Sequence, residues 1–301
     1  MILSPAFHCQ AMERNNILIY LNYTQAELDA QYNQVTLVPD LSPYMEHWTK
    51  ASAEARATLE CNLDVAYGPS EVELLDIFSS KQERTPIHVH LHGGAWRSIG
   101  KEHVSYHAPP FVDAGAIFIA LNFGLAPRYT LDEIIDQIRK AIKWIWENAN
   151  TFNGDRDRIF LSGVSSGAHL AANILADGWR SSYGLPEDVI KGAVLASGPY
   201  DLEPVRLSAR NEYLKLDQAS ADRSNPLKHI PASGPPIFVC WGDGELDEFR
   251  RQGEAFAQAW QAAGNDCQML KIENCNHFDV GTLFGRADSA IIKAALAQMS
   301  I

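Results

Sequence analysis

Residues 158–176 read Arg158-Ile159-Phe160-Leu161-Ser162-Gly163-Val164-Ser165-Ser166-Gly167-Ala168-His169-Leu170-Ala171-Ala172-Asn173-Ile174-Leu175-Ala176. An apolar run suited to a strand, Arg158–Ser162, meets a helical run, Ala168–Ala176, across a G-x-S-x-G pentad. So tight a strand-to-helix turn forces its central serine into a strained backbone conformation. Glycines two residues to either side leave room for it. The serine hydroxyl then stands exposed above the sheet, at the head of the helix. Ser165 is therefore the candidate nucleophile, and the backbone N–H of Ser166 is a candidate oxyanion donor.

Working outward from this turn, short β-rich runs alternate with helical patterns from about Val72 onward. Strands are expected at Val72–Phe78, Ile87–Leu91, Ala116–Leu121, Arg158–Ser162, Gly192–Ser197, Pro236–Trp241 and Cys267–Ile272. Several are nearly continuous apolar runs, as central strands covered on both faces must be. In Leu131–Asn148 the residues Leu131, Ile134, Ile135, Ile138, Ile142 and Ile145 recur at helical spacing. Phe249–Ala263 and Phe284–Met299 are further expected helices. The alternation predicts a three-layer α/β sandwich around a mostly parallel sheet. Helical stretches at Gln25–Asn33 and Tyr44–Leu59 precede it, so residues 1–63 are expected to form an N-terminal helical extension packed on a domain of residues 64–301. The segment Asp201–Ser233 breaks the alternation and is placed to cover a site at the strand ends.

Composition narrows the class. With 46% of residues hydrophobic, the 301-residue chain can bury a full core, which excludes general disorder. Lys and Arg number 25 against 37 Asp and Glu, a formal charge of −12. A phosphate footprint needs clustered positive charge, so neither nucleic acid nor an anionic membrane is an expected partner. Cys9, Cys61, Cys240, Cys267 and Cys275 have neither metal-ligand nor redox spacing and read as reduced thiols. No apolar run approaches a spanning helix, and residues 1–16 lack the pattern of a secretory signal. A cytoplasmic enzyme is expected, with a homodimer as the assembly to test.

A second glycine turn follows strand Ile87–Leu91: His92-Gly93-Gly94-Ala95-Trp96. Adjacent glycines after a strand let backbone N–H groups converge on one point, so Gly93 and Gly94 join Ser166 as the expected oxyanion hole. His88, His90 and His92 alternate along the strand, and His103 and His107 lie four apart, which invites a metal reading. No acidic or cysteine partner with zinc spacing lies nearby. No metal and no cofactor are expected.

With both glycine turns in place, the chain resembles the HGG-bearing α/β-hydrolases, in particular the hormone-sensitive-lipase-like and kynurenine-formamidase-like esterases. The second likeness runs through Gln31-Tyr32-Asn33, Ala66-Tyr67-Gly68-Pro69, Leu75-Asp76-Ile77-Phe78, His92–Trp96, Leu125-Ala126-Pro127, Ser165–Leu170, Glu248–Gln252 and Asn276-His277-Phe278-Asp279. It implies an α/β-hydrolase fold and a metal-free serine hydrolase that removes formyl groups from arylamines and cleaves small activated esters. The substrate expected is thus a small aryl formamide or ester. Three positions depart from the family pattern: Val164 and Ser166 replace a usual His and Ala, and Ala95 replaces an aromatic. These positions border the expected acyl pocket.

An acyl-transfer serine needs an imidazole base and a carboxylate that orients it. His277 follows the last strand, where the chain order of this fold puts the histidine. His8, His47 and His229 fit no triad order, and His169 reads as structural. The acid lies among Asp243, Glu245, Asp247 and Glu248. Matching the formamidase-like pattern selects Glu245, three positions beyond Gly242. Matching lipase-like esterases selects Asp243, and Asp247 is the third candidate. Trp96 and Tyr32, with Tyr20 and Tyr23, are candidates for an aromatic wall that receives a flat leaving group. A general carboxylesterase is the alternative within hydrolases. A non-catalytic binding protein on the same fold is the alternative of another class, opposed by the intact Ser, His, acid and HGG set.

Overall fold

The computed structural model describes residues 17–80 and 82–301. His8 and Cys9, with the rest of residues 1–16, lie outside the described residues. The chain opens with helices α1 (Gln25–Gln31) and α2 (Ser42–Thr58), then strands β1 (Cys61–Ala66), β2 (Leu74–Phe78) and β3 (Thr85–Leu91). Helix α3 (Ala108–Asp113), β4 (Ile117–Leu121), α4 (Leu131–Asn148), β5 (Gly154–Val164), α5 (Ser166–Leu175) and β6 (Ile190–Ala196) follow. Three short helices, α6 (Leu202–Leu207), α7 (Asn211–Leu214) and α8 (Gln218–Arg223), occupy the segment that interrupts the alternation. The chain ends with β7 (Ile237–Gly242), α9 (Asp247–Ala262), β8 (Cys267–Ile272), α10 (His277–Thr282) and α11 (Ala290–Met299).

These strands form one eight-stranded sheet in the order β1-β2-β4-β3-β5-β6-β7-β8. Strand β2 runs antiparallel to both neighbours, and every pairing from β4 to β8 is parallel. Every residue of β3, β4 and β7 is buried, as strands covered on both faces must be, and in β3 this includes His88 and His90. The two faces carry separate cores. One holds Ile87, Val89 and Leu91 against α4 and α5, and the other holds Phe118, Phe160 and Phe238 against Phe111, Phe284 and Ile292.

Helix α4 matches its expected range because both its start and its face are encoded locally. Thr130 accepts from Glu133 N at 3.3 Å while the Glu133 carboxylate accepts from Thr130 N at 2.8 Å. Its six periodic apolar residues are all buried, each worth roughly 1.5–3 kcal/mol over exposure. Helix α11 begins later than the periodicity of Phe284–Met299 suggests. Leu283–Gly285 forms a separate 3₁₀ turn, and the Ser289 hydroxyl caps the helix by accepting from Ile292 N. Strand β1 lies across the position where the extension was expected to end. It is an exposed edge strand with a register shift between Asn62 and Val65, where Asp64 has φ +56°. A bulge of this kind erases the two-residue alternation from the sequence.

Candidate active site

The nucleophile turn is held by steric exclusion. Ser165 has φ +57° and ψ −126°, between β5 and α5. A Cβ on Gly163 would lie 2.3 Å from the Gly167 carbonyl oxygen, and one on Gly167 would lie 2.1 Å from that of Leu91. Only glycine fits at either position, so the strain at Ser165 is fixed by its neighbours. Ser165 N also donates to Ala196 O of β6 at 2.9 Å, which ties the turn to the sheet.

His277 stands at the start of α10, whose N-cap Asn276 accepts from the N–H groups of Phe278 and Asp279. Its Nε2 is 3.0 Å from Ser165 Oγ, and its Nδ1 is 2.8 Å from Glu245 Oε2. A carboxylate can only accept, so Nδ1 carries the proton and Nε2 is free to accept from the serine. The other Glu245 oxygen accepts from Ser197 Oγ and from Gly242 N, the latter at 2.9 Å. The remaining carboxylates point elsewhere. Asp243 Oδ1 accepts from Cys275 N at 3.4 Å, and exposed Asp247 pairs with Arg250 at the head of α9. Asp243 and Asp247, the alternatives for the acid, are therefore not brought to His277. Glu245 is.

The H-G-G turn and the serine turn lie side by side. A Cβ on Gly93 would sit 3.3 Å from Ser165 Cβ, so the H-G-G loop passes directly over the nucleophile. Gly94, Ala95 and Trp96 take φ of +96°, +55° and +60° in succession. The N–H groups of Gly93, Gly94 and Ser166 have no protein acceptor among the described residues. His92 anchors the loop: its Nδ1 is 2.9 Å from Gly93 O, and its ring stacks on Phe123 at 4.2 Å.

These groups open into a cavity of about 610 Å³. Leu41, Met45 and Trp48 from the N-terminal segment, Tyr213 and Arg210 from the segment after β6, and Phe278 contribute to its wall. Of the three departures from the family pattern, Val164 and Ala95 also line it, and Ser166 does not. The segment 201–233 thus covers the strand ends, as its broken periodicity suggested, and the N-terminal segment completes the wall. Tyr44 Oη donates to Asp279 at 2.6 Å and Trp48 Nε1 to Thr282 at 3.1 Å, which holds α2 against α10. Neither contact was legible from spacing.

Tyr32 lines the cavity, with its hydroxyl accepting from Gln252 Nε2 at 2.9 Å. Burial raises its pKa well above the usual phenol value, so it stays neutral. Trp96 requires a correction: it is fully buried behind the wall and does not line the cavity. The left-handed backbone turns it inward, where its Nε1 donates to His169 Nδ1 at 3.2 Å. His169 Nε2 in turn donates to Ser224 O at 2.7 Å. Trp96 therefore ties the oxyanion loop to α5 and to the covering segment. Tyr20 and Tyr23 are likewise absent from the cavity wall, and Tyr20 donates to Asp201 at 2.8 Å.

A second serine–histidine cluster lies within the sheet. Ser162 Oγ is 2.6 Å from His88 Nε2 and 2.8 Å from His90 Nδ1. Burial holds His88 down to about 3 and His90 and His107 well below their usual value, so these imidazoles are neutral. His88 stacks on Phe111 at 4.1 Å, and His90 meets the His107 ring edge-on at 4.4 Å. Among the described residues no three His, Cys, Asp or Glu side chains are placed to hold a metal ion.

A serine at a strained strand–helix turn, an imidazole and carboxylate in line behind it, and a parallel α/β sheet define the serine hydrolases of the α/β-hydrolase class. Residues 88–278 match the sequence model of the alpha/beta hydrolase fold family. The chain belongs to that family. It is 29% identical to a kynurenine formamidase of Danio rerio, over 84% of this chain and 89% of that protein. It is 31% identical to a kynurenine formamidase of Salmo salar, over 77% and 79% respectively. The crystal structure of a hyperthermophilic esterase from the archaeon Pyrobaculum calidifontis superposes with a TM-score of 0.68, covering 90% of this chain and 97% of that one at 19% identity. The fold is shared over 90% of the chain, and the chain is a serine hydrolase of the formamidase and esterase type.

Proposed function

We propose that the chain removes a small acyl group, formyl foremost, from an aryl-type leaving group by two-step acyl transfer on Ser165. The observation that carries this reading is the continuous line from Glu245 through His277 to Ser165, opening beside unpaired N–H groups. His277 Nε2 takes the Ser165 proton as Oγ attacks the acyl carbonyl. The N–H groups of Gly93, Gly94 and Ser166 receive the oxyanion that forms. Glu245 holds the imidazole in the productive tautomer and stabilises the imidazolium. His277 then protonates the departing amine or alcohol, and the acyl-enzyme is hydrolysed by water activated in the same way. An aromatic and aliphatic cavity suits a flat aryl group, and the names of the two fish relatives support an arylformamide.

Residues 64–301 act in this reading as the hydrolase domain, with residues 1–63 as the extension that completes the cavity wall. Cys61, Cys240, Cys267 and Cys275 are free thiols, which supports a reducing, cytoplasmic setting. No helix among the described residues is long and apolar enough to cross a membrane. The excess of negative charge supports a small-molecule partner over nucleic acid or an anionic membrane, and a homodimer is the assembly that sedimentation would test. Comparing kcat/KM for N-formylkynurenine with that for short p-nitrophenyl esters tests the substrate. A flat preference for esters would replace this reading with a general carboxylesterase, which the two small residues bordering the cavity, Ala95 and Val164, also accommodate.

A further inference from the structure

We propose that the Ser166 hydroxyl is a positioning group for the oxyanion hole: by accepting the Trp96 N–H it locks the H-G-G loop to the head of α5. The proposal rests on the oxyanion reading of Gly93, Gly94 and Ser166, and it gives a role to a hydroxyl where the family pattern has a methyl group. Ser166 and Trp96 are 1% and 0% exposed. Trp96 N donates to Ser166 Oγ at 3.2 Å, the one acceptor this N–H has among the described residues. Alanine at 166 would leave the N–H buried and bare, a costly state for a backbone donor.

The loop needs such holding. Gly94, Ala95 and Trp96 are all left-handed, and side chains larger than glycine disfavour that region. A run of this kind persists where the surroundings impose it. Arg97 N and Ser98 N both donate to Gly94 O, at 3.1 and 3.0 Å, which closes the loop on itself. Three ties to other parts of the chain then meet at Trp96. Its carbonyl accepts from Ala126 N at 2.8 Å, its indole donates to His169 Nδ1 at 3.2 Å, and its N–H donates to Ser166 Oγ. Ser166 and His169 stand one turn apart on α5 and share a face. One takes the main chain of Trp96 and the other its ring.

Ser166 therefore serves twice. Its backbone N–H is the donor of the serine turn, and its Oγ holds the loop that carries the other two. Gly93 and Gly94 stand three and two residues before Trp96, so a shift at Trp96 N reaches them through a short stretch of chain. Oxyanion donors act by being fixed before the charge develops. Slack in their placement weakens the transition state more than the bound substrate.

The test compares two ketones that carry the same aryl group. A trifluoromethyl ketone is attacked by Ser165 Oγ: the new C–O bond forms as the carbonyl π electrons move onto oxygen, and the serine proton passes to His277 Nε2. The matching methyl ketone binds without this addition. The readout is the ratio of the methyl to the trifluoromethyl Ki. In Ser166→Ala, which keeps the backbone N–H, the ratio should fall about 5–20-fold, against about 100–1,000-fold for a donor lost outright. The kcat for an aryl ester should fall by a similar factor, with KM and the methyl ketone Ki within about twofold. A hydroxyl that only stabilises the fold would lower the unfolding midpoint and leave the ratio unmoved, which overturns the proposal. Should Ser166→Ala fail to fold, hydrogen exchange of the unaltered chain decides. The Trp96 amide should be protected, and exchange at the rate of an open loop would overturn the clamp. Gly94→Ala distinguishes the clamp from the oxyanion assignment. A ratio that falls in Gly94→Ala and holds in Ser166→Ala removes the clamp and keeps the assignment, and a ratio unmoved in both removes both.

Discussion

Two serine–histidine pairs sit three residues apart on β5 and its turn, and they have opposite chemistry available to them. Ser165 faces His277, which faces Glu245, and the hydroxyl opens into the cavity beside unpaired N–H groups. Ser162 faces His88 and His90 at shorter distances, yet it is fully buried in the sheet, and among the described residues no carboxylate orients either imidazole. A close hydroxyl–imidazole contact does not make a nucleophile. The difference lies in the orienting carboxylate, the access, and donors placed where oxyanion charge develops. The Ser162 cluster satisfies polar groups that the sheet has buried, which is a stability role.

The largest effect that separates the pairs is removal of each hydroxyl. Ser165→Ala should lower kcat/KM by about 10⁴–10⁶-fold with the thermal midpoint retained. Ser162→Ala should change kcat/KM by less than about tenfold yet cost about 1–3 kcal/mol in denaturant unfolding, because two buried imidazoles lose a partner. The next effect concerns the carboxylate. Glu245→Gln should lower kcat by about 10³–10⁴-fold, whereas Asp243→Asn and Asp247→Asn should each stay within about threefold, as expected of groups remote from the chemistry. Steady-state kinetics on one aryl ester ranks all three.

Smaller again is the oxyanion loop. At Gly94, with φ +96°, an added Cβ would lie 2.0 Å from Ser98 O. Gly94→Ala should displace the N–H groups and cost about 10²–10³-fold in kcat, with Ser162 and its imidazoles undisturbed. A separate effect, on stability and not on rate, is expected in acid. Burial lowers His88 to about 3 and His92 and His169 to about 4, from an ordinary 6.5. The unfolded chain binds these protons near pH 6.5 and the folded chain does not, so the stability they confer is present above 6.5. It falls as pH drops toward 4, by about 1.4 kcal/mol per pH unit for each such histidine. Thermal midpoints between pH 7.5 and 5 should therefore decline, and a flat profile would contradict the neutral, buried state of these rings.

What could be read from the sequence follows the same division. The elbow and the H-G-G turn are local: glycine at 163, 167 and 94 is demanded by backbone geometry, and that demand is visible one turn at a time. His277 was placed by chain order, and Glu245 by its offset from Gly242. Contacts set by packing left weaker traces. Trp96 occupied a position that suggested the cavity, but the left-handed backbone at 95–96 turns it toward His169. Arg210 and Tyr213 gave no periodic signal, because their place in the cavity wall depends on how residues 201–233 fold over the strand ends. The break in alternation after β6 marked that cover without revealing which side chains it carries. The alternation of His88, His90 and His92 was visible, but the Ser162 partner was not, since it comes from cross-strand register.

One measurement bears most directly on the contrast between the two serines. The chain is treated with a fluorophosphonate, digested with trypsin, and the peptide Ile159–Arg180 is fragmented to place the adduct, since Ser162, Ser165 and Ser166 all lie within it. A stoichiometric adduct on Ser165 alone is expected, absent from Ser165→Ala and retained in Ser162→Ala. An adduct on Ser162, or labelling that survives Ser165→Ala, would contradict it.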